Sequence, residues 1–130
     1  MKRREFLLIG SLLSSGASIF PSELFSYPVT KNRLRVGFIG TGLRGQVMME
    51  LTTHREDVDI PAICDIDDGM IKNALNVLKK AGYPEPKVYN KGDEDFRNMV
   101  KNEDLDGVFI ATPWEWHHPM AIAAMKAGKH

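Results

Sequence analysis

Val36-Gly37-Phe38-Ile39-Gly40-Thr41-Gly42-Leu43-Arg44-Gly45 decides how this chain is read. An apolar run from Leu34 to Ile39 ends in a G-x-G-x-x-G segment, and residues of helical composition follow from Gly42 to about Thr53. A short apolar run bounded by glycine reads as a buried strand. In that setting the glycines serve different ends. Gly40 permits the tight turn, Gly42 lets backbone approach a pyrophosphate, and Gly45 lets helix and strand pack closely. The phosphates would meet N–H groups without helical partners and the positive end of the helix dipole. Asp65 stands about 20 residues beyond Gly45, at the end of the next apolar run, where a carboxylate accepts hydrogen bonds from an adenosine ribose. A glycine run alone is weak. Strand, helix and acid together make it a dinucleotide-binding fingerprint.

Outward from this stretch the chain alternates strand and helix. Val58 to Cys64 reads as the second strand, tolerating Pro61 only where its missing N–H falls at an unpaired position. Asp68 to Ala81 is helical, with Ile71, Ala74, Leu75 and Leu78 on one face, and Gly82 stands where a left-handed cap belongs. On the first helix Val47, Met48 and Leu51 are expected to face inward. Lys87 to Tyr89 is a third strand, Asp93 to about Lys101 a helix with Phe96, Met99 and Val100 inward, and Gly107 to Ala111 a fourth strand apolar on both faces. Pro119 and Gly128 would begin and end a last helix. This order implies right-handed crossovers and an α/β fold, a Rossmann-type doubly wound parallel sheet over residues 31–130. Such sheets normally continue to a fifth and sixth strand. The domain is therefore expected to be incomplete, truncated after the fourth strand and its helix, with a C-terminal substrate domain missing.

The whole-chain figures exclude more than they identify. Among 130 residues, 17 Lys and Arg balance 17 Asp and Glu, so a basic surface for nucleic acid is not expected. One cysteine, Cys64, rules out an intrachain disulfide framework and a multi-cysteine zinc site. The neutral balance conceals two unlike segments. Residues 1–30 hold three basic and two acidic residues, which leaves 14 basic and 15 acidic for the rest. Arg3-Arg4-Glu5-Phe6-Leu7 opens an apolar, small-residue stretch reaching Phe20, the outline of a twin-arginine-type export leader. That stretch is too rich in Ser and Gly for a comfortable span of about 20 apolar residues, so no stable membrane anchor is expected. An exported, periplasmic location follows.

Local charge and aromatics carry the remaining site reading. Asp65 would repel the 2′-phosphate of NADP, and Asp67 and Asp68 add to it; Arg44 is the lone counterweight, so NAD is the expected cofactor. Leu43 and Arg44 border the loop that the cofactor crosses. Thr112-Pro113-Trp114-Glu115-Trp116-His117-His118-Pro119 follows the fourth strand, and ligands of open parallel sheets lie off the carboxyl ends of strands. Trp114 and Trp116 offer flat faces to nicotinamide, adenine or a sugar, or else pack on another domain. His117 or His118 could act as a base, although a lone His is more often structural. Glu115 is a carboxylate in the same segment. Cys64 reads as a small core residue, and His54 as surface. No metal-ligand spacing stands out, since the adjacent His117 and His118 cannot share a helical face.

On these residues Leu34 to His130 resembles the N-terminal domain of the Gfo/Idh/MocA-type sugar oxidoreductases. The matching pieces are Val36-Gly37-Phe38-Ile39-Gly40-Thr41-Gly42, Cys64-Asp65, Ala111-Thr112-Pro113 with His117 beyond them, and Ala127-Gly128-Lys129-His130. Gly42-Leu43-Arg44-Gly45-Gln46 and Trp114-Glu115-Trp116-His117-His118 look more narrowly like the NAD-dependent glycoside hydrolases that include α-N-acetylgalactosaminidases. The resemblance implies NAD contacts at Leu43, Arg44, Asp65 and Trp114 to His117, catalytic residues beyond His130, and a homo-oligomer formed through the missing domain. It also implies a glycoside substrate and a redox-neutral cycle: oxidation at the sugar's C3, elimination of the aglycone, hydration and reduction. At Gly40 the chain departs from that branch, where a replaced first glycine is expected. A net NAD(P)-dependent sugar or cyclitol oxidoreductase is therefore the alternative, and a nucleotide-binding sensor the third reading. Outside the cytoplasm no abundant pool would reoxidise released NADH, so an exported enzyme of this kind is expected to hold its cofactor and recycle it.

Overall fold

The structure, a computed structural model, describes residues 33–130; the leader expected over residues 1–30 lies outside them. Four strands and four helices alternate: β1 (Leu34–Ile39), α1 (Leu43–Thr53), β2 (Val58–Cys64), α2 (Asp68–Lys80), β3 (Lys87–Tyr89), α3 (Asp95–Asn102), β4 (Gly107–Ile110) and α4 (Trp114–Lys126). All pairings are parallel, in the order β3-β2-β1-β4. This is the doubly wound arrangement expected from the strand–helix alternation.

Alternation along β1 divides the core between the two faces of the sheet. Phe38 packs with Met49, Ile60, Ile63, Ile71 and Leu78 under α1 and α2. Its neighbour Ile39 belongs to the opposite cluster, with Phe96, Met99, Val100, Met120 and Ala124 from α3 and α4. Pro61 meets the condition set for it. Arg35 pairs with Asp59 and Gly37 with Ala62, so β2 carries one more residue than β1 in the interval holding Ile60 and Pro61. A proline that cannot donate to the ladder falls at this bulge.

Helix ends follow the expected glycines. Beyond α2, Gly82 has φ +75°, its N–H donates to Lys79 O, and Tyr83 N–H reaches back to Leu78 O. Gly128 repeats the motif after α4, with donation to Met125 O and from Lys129 N–H to Ala124 O. Both are Schellman caps that satisfy carbonyls the helix leaves open. At the start of α2, Asp67 accepts from Met70 N–H at 2.9 Å.

Two expectations need correction. The inward face of α1 carries Gly45, Met49 and Thr52, whereas Val47 and Leu51 are 50% and 63% exposed. Gly45 has to sit against the sheet, and its i+4 and i+7 partners are Met49 and Thr52, which turns Val47 and Leu51 outward. Helix α4 begins at Trp114, not at Pro119, which lies inside it. Pro113 caps the start of the helix, and Pro119, its sixth residue, forgoes the one intrahelical hydrogen bond that would reach the Glu115 carbonyl. Strand β4 is only half-buried, with Phe109 partly exposed against the Phe38 ring at 5.0 Å. His130 already pairs with it: Val108 N–H donates to His130 O, and His130 N–H to Asp106 O.

Candidate cofactor site

Strand order reverses at β1, between β2 on one side and β4 on the other, which is where parallel sheets open a ligand crevice at their carboxyl ends. A crevice of about 310 Å³ lies there, between the glycine loop, Asp65 and the Ala111-Thr112-Pro113 turn.

The three glycines of the loop are required for different reasons. Gly40 has φ +91°, and a Cβ on it would stand 2.6 Å from the Ala111 carbonyl oxygen. A Cβ on Gly45 would run into the Gly40 carbonyl oxygen, so helix α1 and the end of β1 touch backbone to backbone. Gly42 has an ordinary φ of −63°, and nothing lies within 4 Å of its would-be Cβ. No neighbour among the described residues demands glycine at 42; a side chain there would fill open space beside the crevice. The N–H groups of Gly42, Leu43, Arg44 and Gly45 have no backbone acceptor among the described residues, and the first turn of α1 carries no acid. Free donors at a helix N-terminus, with room left by a glycine, fit a pyrophosphate.

Asp65 follows β2 and is half-buried. Its Oδ2 accepts from Thr41 N–H at 2.5 Å and from Thr41 Oγ1 at 3.0 Å, and Oδ1 accepts from Asp67 N–H at 3.0 Å. A carboxylate offers about four lone-pair sites, so one remains for a ribose hydroxyl. Leu43, 79% exposed, and Arg44, also exposed, stand on the first turn of α1 outside the crevice wall.

The segment after β4 separates its residues. Thr112, Pro113 and Trp116 line the crevice; Trp114, 88% exposed, and Glu115 do not. Trp116 is held edge-on to Phe96 at 6.3 Å. His117 Nε2 lies 2.8 Å from Thr112 O. Because a carbonyl only accepts, Nε2 carries the proton, and the ring fastens the Thr112 turn to α4. His118 is exposed, and His54 is exposed at the C-terminal end of α1. Cys64 lies at the floor of the crevice, where burial, ahead of the charges of Asp95 and Asp65, pushes its thiol up to about 12. At neutral pH it is a protonated, inert thiol.

Sequence reasoning missed the far wall: Ile66, Met70, Gly92, Asp93 and Phe96. Gly92 and Asp93 lie in the turn after β3, so the rule that ligands sit off strand ends, applied to every strand, would have reached them. Asp95 orders that turn, accepting from Lys91 N–H at 2.9 Å and from Asn98 Nδ2 at 2.8 Å.

The pattern of the oxidoreductase family with a NAD-binding Rossmann fold, Gfo/Idh/MocA, matches residues 34–130. The chain belongs to this family. Its described residues are a NAD-binding Rossmann domain. A glycosyl hydrolase family 109 protein of Stenotrophomonas maltophilia is 39% identical over 98% of this chain and 28% of its own length. An alpha-N-acetylgalactosaminidase of Tannerella forsythia is 50% identical over 73% of this chain and 20% of its own length. The scyllo-inositol dehydrogenase of Lactobacillus casei, solved with NAD(H) and scyllo-inositol, superposes with a TM-score of 0.61 at 26% identity, over 75% of this chain and 26% of that one. This chain thus spans between a fifth and a third of the length of these relatives.

Proposed function

We propose that this chain is the cofactor-binding part of an exported glycosidase that retains one NAD through a redox-neutral cycle on an N-acetylhexosaminide or a related glycoside. The observation that carries the reading is the 50% identity to an alpha-N-acetylgalactosaminidase, against 26% to a dehydrogenase of the same fold. Bound NAD would supply the hydride acceptor and donor that such a cycle needs.

This chain's residues bind and orient. The N–H groups of Gly42 to Gly45 hold the pyrophosphate, and Asp65 accepts from the ribose and disfavours a 2′-phosphate. Ile39, Phe96, Trp116 and Met120 give the crevice its apolar walls. Leu43, Arg44, Trp114 and Glu115 flank the cofactor from the rim, and His117 keeps the Thr112 turn in place. The proton-transfer residues belong to the part of the relatives' length that this chain does not span, as does the surface through which a homo-oligomer forms.

Export through the twin-arginine route is part of the same proposal. That route carries folded proteins, so the cofactor is loaded in the cytoplasm. Away from a NAD pool, a cycle that returns its hydride at every turnover needs no external oxidant. The second reading, a NAD(P)-dependent sugar or cyclitol oxidoreductase, is favoured by the superposition on the inositol dehydrogenase. An aryl α-N-acetylgalactosaminide assay on the full-length protein without added NAD separates the two. Aglycone release supports the glycosidase; NADH accumulation with a free sugar and no aglycone release sinks it.

A further inference from the structure

Thr41 is fully buried, and each of its polar groups is engaged. Its N–H and hydroxyl donate to Asp65 Oδ2 at 2.5 and 3.0 Å. Its carbonyl accepts from Gln46 Nε2 at 2.8 Å, across the first turn of α1. The side-chain amide can be placed only one way round, because a carbonyl needs a donor. Gln46 Nε2 also lies 3.7 Å from the sulfur of Met70, a crevice residue.

The peptide between Thr41 and Gly42 therefore has a fixed face. In a trans peptide the C=O and the following N–H point in opposite directions. Holding the Thr41 carbonyl against Gln46 turns the Gly42 N–H the other way, where no backbone acceptor among the described residues meets it. Nothing intrinsic to Gly42 does this. Glycine accepts φ of either sign, so the residue that leaves room for a cofactor also leaves the 41–42 peptide free to rotate. Asp65 anchors one side of Thr41, and Gln46 anchors the other.

We infer that Gln46 is a positioning residue for cofactor binding: with Asp65 it clamps Thr41 so that the Gly42 N–H is held ready for the pyrophosphate. The inference rests on the assignment of this crevice to NAD and adds a residue outside the G-x-G-x-x-G run. Gln46 need not touch the cofactor; it acts through the peptide plane. The effect is accordingly specific to the pyrophosphate. Adenosine, which shares the ribose and base but has no phosphate, does not sense it.

The test compares nucleotides on the full chain. Gln46→Met keeps the side-chain length and removes the donor. Losing one neutral hydrogen bond is expected to weaken NAD and ADP-ribose by about three- to tenfold. Adenosine affinity is expected to stay unchanged. Equal weakening of all three ligands, or of none, overturns the clamp. Amide hydrogen exchange on the wild type decides the matter even if the variant fails to fold. The Gly42 amide is expected to exchange fast alone and to be protected by ADP-ribose, with the Thr41 amide protected throughout. A Gly42 amide already protected without nucleotide contradicts the proposal. A wild type that binds neither NAD nor ADP-ribose overturns the cofactor assignment itself, and the clamp with it.

Discussion

The glycine loop after β1 and the turn after β4 face each other across the same crevice, yet they are fixed by different means. At the loop, backbone constrains backbone: Gly40 holds a left-handed φ under the Ala111 carbonyl, and Gly45 abuts Gly40 itself. At the turn, side chains decide. Trp116 is turned inward by Phe96 of α3, Trp114 two residues earlier faces solvent, and His117 fastens Thr112. Constraints of the first kind leave a mark on residue identity, because only glycine satisfies them. Constraints of the second kind depend on a partner surface supplied by another element.

The sharpest way to break this contrast is Gly40→Ala. A Cβ would add left-handed strain and a collision with backbone that has no flexible end to move, together about 2–5 kcal/mol of lost stability. Urea unfolding measures it; a loss under about 1 kcal/mol would mean that the loop relaxes and is not backbone-locked. Asp65→Ala comes next. Removing a charged acceptor of buried donors costs about 1.5–3 kcal/mol, and the NAD affinity is expected to fall more than the NADP affinity. Titration with both nucleotides checks this, and an unchanged ratio would remove Asp65 from the ribose.

On the opposite wall the two tryptophans should differ. Trp116→Ala removes half-buried area and the edge contact with Phe96, about 2 kcal/mol, while Trp114→Ala stays within about 0.5 kcal/mol. Matching losses in thermal unfolding would contradict the assigned orientations. The smallest effect is expected away from both regions. Lys87 at 2.8 Å, then Tyr89 at 2.5 Å, hold the Glu103 carboxyl below its ordinary value of 4.5. A depressed folded pKa means stabilisation that is present above the unfolded value and lost as pH falls through the folded one. Glu103→Gln should flatten the acid limb of the melting-temperature profile and leave nucleotide affinity unchanged; an unaltered acid limb would show that the triad contributes nothing there.

How much was legible follows the same division. The strand–helix alternation, the caps at Gly82 and Gly128, and the need for glycine at 40 and 45 are local requirements, and the residues announce them. The inward face of α1 is not legible, because Val47 and Leu51 are apolar while the contact is made by the smaller Gly45 and Thr52 around Met49. Helix α4 starts earlier than the proline at 119 suggests, because Pro113 offers the same helix-start signal. Asp65 was found by spacing, but its bonds to Thr41 were not, since they arise only when β1 and β2 lie side by side. Gln46 stands at the end of the Gly42–Gln46 segment that carries the resemblance, but that segment gives it no role; its partner is a carbonyl, invisible in any pattern of side chains.

On the proposed function, the loop at 40–45 and Asp65 hold NAD tightly enough to travel with the protein. The most direct test of this is to purify the full-length protein without added nucleotide, remove small molecules by gel filtration, denature it and identify what is released. NAD or its reduced form is expected, at about one equivalent per chain. Release of NADP, or a nucleotide-free protein that fails to take up NAD when offered, would contradict it.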